Sequence, residues 1–262
     1  MASTSFPSPD TISDSEFRDY LERYPTCVAE ISEAKGAKPG QQTLASLDEY
    51  RYGAALDAFG PANPDAVMGL DDVKTLVEWK LPTLMKLVSS NDSDTVRDTI
   101  QGAIAYYRDK ADVSGTIHRL AKLKGIGPAT ASLLLAVHDP DNVAFFADEA
   151  FYWLCCGGVK APIKYNAKEY ADLNARARKL AKRLGVRAVD VERVAFVLMR
   201  QPEGGDDKAV RKPSEEPPAK EAPAQKPPAK INTSKQEKRK ASGDGPAAGS
   251  PVRRSKRGKQ QA

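Results

Sequence analysis

The sequence predicts an all-α, multi-helix domain followed by a disordered C-terminal tail. Three observations carry that expectation. Apolar residues recur in steps of three and four, as in Tyr170, Leu173, Ala177, Leu180 and Leu184. Nothing in residues 65–200 shows sustained period-two alternation flanked by hairpin turns, so strands are not expected. After Gln201, Pro, Lys, Ala and Glu dominate and hydrophobic residues become scarce. Such a chain cannot bury enough apolar surface to offset the entropy of ordering. The boundaries are therefore a disordered start over residues 1–11, a helical domain over 12–200, and a tail over 201–262.

Within the domain, Ser13 and Glu16 have capping-box spacing, with Ile12 and Phe17 placed as a hydrophobic staple. Phe17, Tyr20, Leu21 and Tyr24 form one apolar face, and Pro25 is expected to stop that helix. A second helix is expected from Thr43 to Phe59. Asp71 or Asp72 can cap a third through Val73, Leu76 and Val77, broken near Leu81 by Pro82. A short continuation carries Leu84, Leu87 and Val88. The run Asn91-Asp92-Ser93-Asp94 is a start signal for a helix burying Val96, Ile100, Ala103 and Tyr107. Further on, Gly185 is a natural stop for the helix of Tyr170 to Leu184, and Asp190 a cap for the last one, with Val191, Val194 and Leu198 inward.

Between these elements lies the stretch with the most chemical content, Leu123-Lys124-Gly125-Ile126-Gly127-Pro128-Ala129-Thr130-Ala131. Asp112 or Ser114 opens a helix that ends before it, and a second runs from Pro128 to about Val137. Two glycines one residue apart let the backbone turn tightly and approach a neighbour. Pro128 starts a helix cleanly, because a first-turn residue needs no amide hydrogen. Free amides at a helix N-terminus are a ready site for phosphate. The expected contacts are the amides of Gly125, Ile126, Gly127 and Ala129, the charge of Lys124 and the hydroxyl of Thr130.

This pattern, over 114–137, resembles the helix-hairpin-helix motif. With Val143-Ala144-Phe145-Phe146-Ala147-Asp148-Glu149-Ala150-Phe151 following, the chain is similar to the helix-hairpin-helix DNA glycosylase superfamily. The resemblance is strongest over about residues 94–200. It extends to fungal nuclear proteins that share the Gly125–Ser132 and Asp148–Phe151 stretches. It implies DNA as partner, a monovalent cation at the turn carbonyls in some related motifs, and a catalytic role for Asp148. A carboxylate there would stabilise positive charge on the sugar as the N-glycosidic bond breaks. The extruded base would enter a pocket lined by aromatics, with Tyr106, Tyr107, Phe145, Phe146, Tyr152 and Trp153 available. The competing interpretation is that Asp148 caps a helix beginning at Glu149. Members with lyase activity carry a Lys where this chain has Ala129, so no Schiff base is expected by that route.

The charge is unevenly placed. The chain of 262 residues has a net charge of +5; residues 201–262 hold 15 Lys and Arg against 8 Asp and Glu, a net +7. Residues 1–120 sum to −7 and 121–200 to +5, so positive charge gathers on the half with the Gly-Ile-Gly turn and on the tail. Lys238, Arg239 and Lys240 with Arg253, Arg254, Lys256 and Arg257 read as a bipartite nuclear localisation signal or a nucleic-acid-binding arm. Arg176, Lys179 and Arg183 form a stripe that either meets DNA backbone or is a solvated helix face.

Three cysteines without a C-x-x-C pair argue against a disulfide framework, a zinc site or an iron–sulfur cluster; no resident metal or cofactor is expected. Cys155 and Cys156 read as buried thiols. His138 is expected to end its helix and favour the dipole. No apolar run is long enough for a bilayer, and no secretory signal is expected. The leading expectation is a nuclear DNA-binding protein without lyase activity. The alternatives are a monofunctional DNA glycosylase using Asp148, and a helical scaffold recruiting partners through its tail.

Overall fold

Apolar periodicity of three and four becomes helix throughout. The computed structural model describes residues 7–37 and 40–200, and every regular element among them is helical. They are α1 (Asp14–Lys35), α2 (Leu44–Glu49), α3 (Ala55–Phe59), α4 (Leu70–Lys80), α5 (Met85–Val88), α6 (Ser93–Lys110), α7 (Val113–Leu120), α8 (Pro128–His138), α9 (Asp148–Cys155), α10 (Ala167–Leu184) and α11 (Ala188–Leu198). No helix among them is long and apolar enough to cross a membrane. The tail and its basic clusters, Lys238–Lys240 and Arg253–Arg257, lie outside the described residues.

Helix α8 is the centre. Every residue from Ala129 to His138 is buried, so this helix is covered on all sides, with α7, α3 and α4 among its neighbours. Helix α9 packs on α10 and α11, and α11 on α1. A second, smaller apolar cluster joins Tyr24 and Val28 of α1 to Phe196 and Val197 of α11.

Several caps follow the sequence. Ser13 and Glu16 form the capping box of α1, Asp92 accepts from the Thr95 amide, and Asp112 accepts from the Gly115 amide. Gly185 closes α10 in the left-handed conformation. Four expectations are corrected. Helix α1 does not stop at Pro25 but runs through it to Lys35. Proline removes one helical hydrogen bond, yet Tyr24 and Val28 on either side are both buried, and the Tyr24 hydroxyl donates to Asp48 at 2.7 Å. Tertiary packing thus holds both halves in line.

The second expected helix does span Thr43 to Phe59, but a π-turn over Tyr50–Ala54 interrupts it. The turn places Arg51 wholly inside, where its Nη2 donates to Glu192 Oε1 at 3.2 Å. Asp190 lies inside α11, not at its cap, and is gripped by Arg187 through two bonds of 3.0 Å. Finally, residues 7–11 are not a free start. The Pro7 carbonyl accepts from Trp153, Arg183 donates to the Pro9 and Ile12 carbonyls, and Lys179 pairs with Asp10 at 3.1 Å. Arg176 donates to Asp172 and to the Leu154 carbonyl. The stripe of Arg176, Lys179 and Arg183 is therefore largely occupied within the domain.

His138 corrects a further expectation. It does end α8, but its ring is buried, and Nδ1 donates to the Phe59 carbonyl at 2.9 Å. Burial holds its pKa down at about 4, so it is neutral and adds no charge to the helix dipole. The unfolded chain would bind a proton near pH 6.5 while the native state does not until about pH 4. The stability that neutral His138 contributes is full above about 6.5 and is lost as pH falls toward 4. Thermal melts from about pH 7 to 4 are expected to show a steeper fall for the natural chain than for His138→Gln. Parallel slopes would refute the assignment.

Candidate nucleic-acid interface

Helices α7 and α8 are joined by a turn in which Gly125 has φ +77°, the left-handed region, and Gly127 is extended at φ −90°, ψ −175°. The turn is braced from outside. The Asn91 carboxamide accepts from the Lys124 amide and donates to the Lys124 carbonyl, both at 2.9 Å, and also donates to the Val88 carbonyl. A Cβ on Gly125 would lie 3.0 Å from Leu87 Cβ and 3.1 Å from the Val88 amide nitrogen. The first glycine is thus needed for two reasons, its dihedral and the approach of α5.

Side chains divide cleanly between interior and surface. Leu123, Ile126, Ala129 and Thr130 are buried; Lys124 and Gly127 are exposed. Thr130 is 1% exposed, which corrects the expectation of a hydroxyl contact. Gly127 occupies the N-cap of α8 and has no side chain to satisfy the first-turn amides. Among the described residues, the amides of Gly125, Gly127, Ala129 and Thr130 have no acceptor. Ile126 donates its amide to the Leu123 carbonyl, which removes it from the expected set. Two turn carbonyls, Leu123 and Lys124, already accept hydrogen bonds.

Lys122 and Lys124 lie in the segment that enters the turn, and Lys86 precedes Leu87 on α5; all three are exposed and without an ion pair among the described residues. The nearby carboxylate of Asp92 is taken by Thr95. Leu87, 53% exposed, sits beside Gly125 as an apolar projection. The part that Asn91, Lys86 and Leu87 play at this surface is not legible in the sequence. Asn91 is readable only as one letter of a helix-start signal, and α5 is too short for a period to define its faces.

Asp148 is the first residue of α9, with Ala147 at the cap position, so it does not cap a helix starting at Glu149. Its exposed carboxylate accepts from the Tyr165 hydroxyl at 2.7 Å. Tyr165 has φ +51° and rests its ring 5.5 Å from that of Phe146; burial and the carboxylate together raise its pKa. Most of the aromatics expected to line a base pocket are engaged elsewhere. Phe145, Phe146 and Trp153 are core residues. Tyr106 donates to Asp112 and Tyr107 to Asp139. Tyr152 alone of the six stays close to Asp148 while half-buried. Glu149 pairs with Arg200 at 2.8 Å.

No group of three or more His, Cys, Asp or Glu side chains among the described residues could hold a metal ion. Cys155 and Cys156 are half-buried and unpaired, and burial pushes the Cys155 thiol up to about 12. Compared with known proteins, the chain matches no family model, no curated protein and no solved structure. The functional reading therefore rests on residues and geometry.

Proposed function

We propose that this chain binds nucleic acid, DNA in the first instance, by gripping one phosphate at the α7–α8 turn. The observation that carries the reading is the pair of unpartnered amides at Gly127 and Ala129, at the N-terminus of a helix, with three unpaired lysines on the segments that form and brace the turn. Amides there donate to phosphate oxygens, and the helix dipole favours the negative charge. Such contacts position a backbone without reading bases, so the binding is sequence-independent. The resemblance to the helix-hairpin-helix glycosylases points the same way, as do the positive charge of residues 121–200 and a nuclear address from the tail.

The turn supplies its own test. A Cβ on Gly127 meets nothing within 4 Å, and its φ of −90° suits any residue. Gly127→Glu should therefore fold normally while placing a carboxylate where the phosphate would sit. Duplex affinity, titrated at several salt concentrations on the full chain and on a chain ending at Arg200, is expected to fall at least tenfold. The melting temperature should be unchanged. Equal affinity for the natural chain and the variant in the truncated form would end the proposal.

Catalysis by Asp148 finds less support. Its carboxylate is already bonded to Tyr165, and four of the six aromatics expected beside it, Tyr106, Tyr107, Phe145 and Trp153, are packed or bonded elsewhere. Ala129, buried at the start of α8, removes the amine that lyase chemistry by that route would need.

A further inference from the structure

One stripe of α10 leaves a hollow against the start of α7. Ala167, Ala171 and Ala175 recur on that stripe at steps of four, and all three remain exposed. Their methyl groups are too short to fill the space, and a cavity of about 270 Å³ stands between the two helices. That is just under the usual span of small-ligand sites, about 300–1,000 Å³, so it suits a ligand of few atoms. The facing wall is apolar where Val113 and Ile117 of α7 meet it.

Two donors stand on the same stripe. Asn174 is 5% exposed, and its Oδ1 accepts from the Ala144 amide at 3.0 Å. That bond fixes the carboxamide and leaves the two hydrogens of Nδ2 to other partners. Nδ2 has no partner among the described residues. It is not, however, one of the fully enclosed unpaired atoms, which are Arg51 Nε and Nη1, His138 Nε2 and Arg193 Nε. Nδ2 therefore keeps some open surface, and the open space that Asn174 borders is this cavity.

Arg178 lies four residues further on, about 6 Å along the axis and on the same face. It is exposed, borders the same cavity, and forms no ion pair among the described residues. The carboxylate in the wall, Asp112, is engaged on both oxygens, by the Gly115 amide and the Tyr106 hydroxyl.

The structure assigns this cavity to a small monocarboxylate with a short apolar tail, its carboxylate bridging Asn174 Nδ2 and the Arg178 guanidinium. The tail lies between the alanines of α10 and Val113 and Ile117 of α7. A buried donor without an acceptor costs free energy that a carboxylate oxygen restores, and the guanidinium makes its bond charge-assisted. Inorganic phosphate meets the donors but leaves the apolar wall bare. A neutral amide fits the wall but brings Arg178 no charge. This site is independent of the phosphate grip at the α7–α8 turn, and its test uses no DNA.

The full chain is titrated with benzoate and isobutyrate, with benzamide as the uncharged ring and with inorganic phosphate as the anion without a tail. Binding is read by calorimetry and by the side-chain amide resonances of Asn174. Saturable binding that moves those resonances is expected for both carboxylates, with at least tenfold weaker binding of benzamide and of phosphate. Arg178→Gln should weaken benzoate at least tenfold and leave benzamide unchanged. Ala171→Leu fills the hollow from an exposed position, so it should block both carboxylates with an unchanged melting temperature. No binding at millimolar carboxylate, or an unmoved Asn174 resonance, would overturn the assignment. So would benzamide or phosphate binding as tightly as benzoate, or unimpaired binding to Ala171→Leu.

Discussion

Glu192→Ala is expected to destabilise the domain by about 3–5 kcal/mol, the loss typical of stranding one half of a buried ion pair. The Glu192 carboxylate accepts from Arg51 at 3.2 Å, from the Tyr52 hydroxyl at 2.9 Å and from the Phe145 amide at 2.7 Å. Burial raises the pKa of Glu192, outweighing the lowering by Arg51 and the Phe145 amide. Three donors, one of them a guanidinium, nevertheless leave an acid proton no acceptor, so the charged form is the one that fits. Without it, a fully buried Arg51 keeps its charge, and its Nε and Nη1 already lack partners. The Phe145 amide is orphaned as well, in the segment that leads to Asp148. Denaturant unfolding gives the measurement. Glu192→Gln should lose less, because it keeps both acceptor positions' shape and one acceptor. A loss under about 1 kcal/mol for the alanine variant would show that the pair is not what holds α11 to the π-turn.

The second large effect separates the two glycines of the α7–α8 turn. Gly125→Val is expected to cost about 3 kcal/mol, combining a left-handed φ on a β-branched residue with a side chain forced into α5. The contact atoms include the Val88 backbone nitrogen, which cannot swing aside as a side-chain tip would. Gly127→Ala should change stability by less than about 0.5 kcal/mol, since it enters open space. Duplex affinity of Gly125→Val should fall only in step with its unfolded fraction. Thermal melts that rank the two substitutions equally would refute the bracing of the turn by α5.

Helix positions were legible because burial stripes and caps are local. Phe17, Ile100, Leu173 and Val194 all point inward as their spacing requires. Pro25 misled because its local penalty is outweighed by contacts with residues far along the chain, which spacing does not display. The π-turn was illegible for a related reason: its buried Arg51 pairs with Glu192, 141 residues away, a contact that local spacing does not display. At the candidate site, the glycine turn and Lys124 could be read directly. The partners Asn91, Leu87 and Tyr165 come from other segments, as does the apolar cover that hides Thr130. The six aromatics near Asp148 show the limit most clearly, because sequence gives their number and vicinity but not which way each ring turns.

The pinned start of the domain bears on how the chain reaches this state. Pro7 meets Trp153 across 146 residues, Pro9 meets Arg183 across 174, and Arg51 meets Glu192 across 141. By contrast, α6, α7 and α8 contact one another in sequence order. Contacts between distant segments reward the chain only after long loops have closed, so they slow folding relative to neighbouring helices. The hairpin pair can assemble from local encounters, whereas residues 7–12 can settle only onto α9 and α10 already in place. During synthesis residues 7–12, made well before α9 and α10, are thus among the last to find their seat.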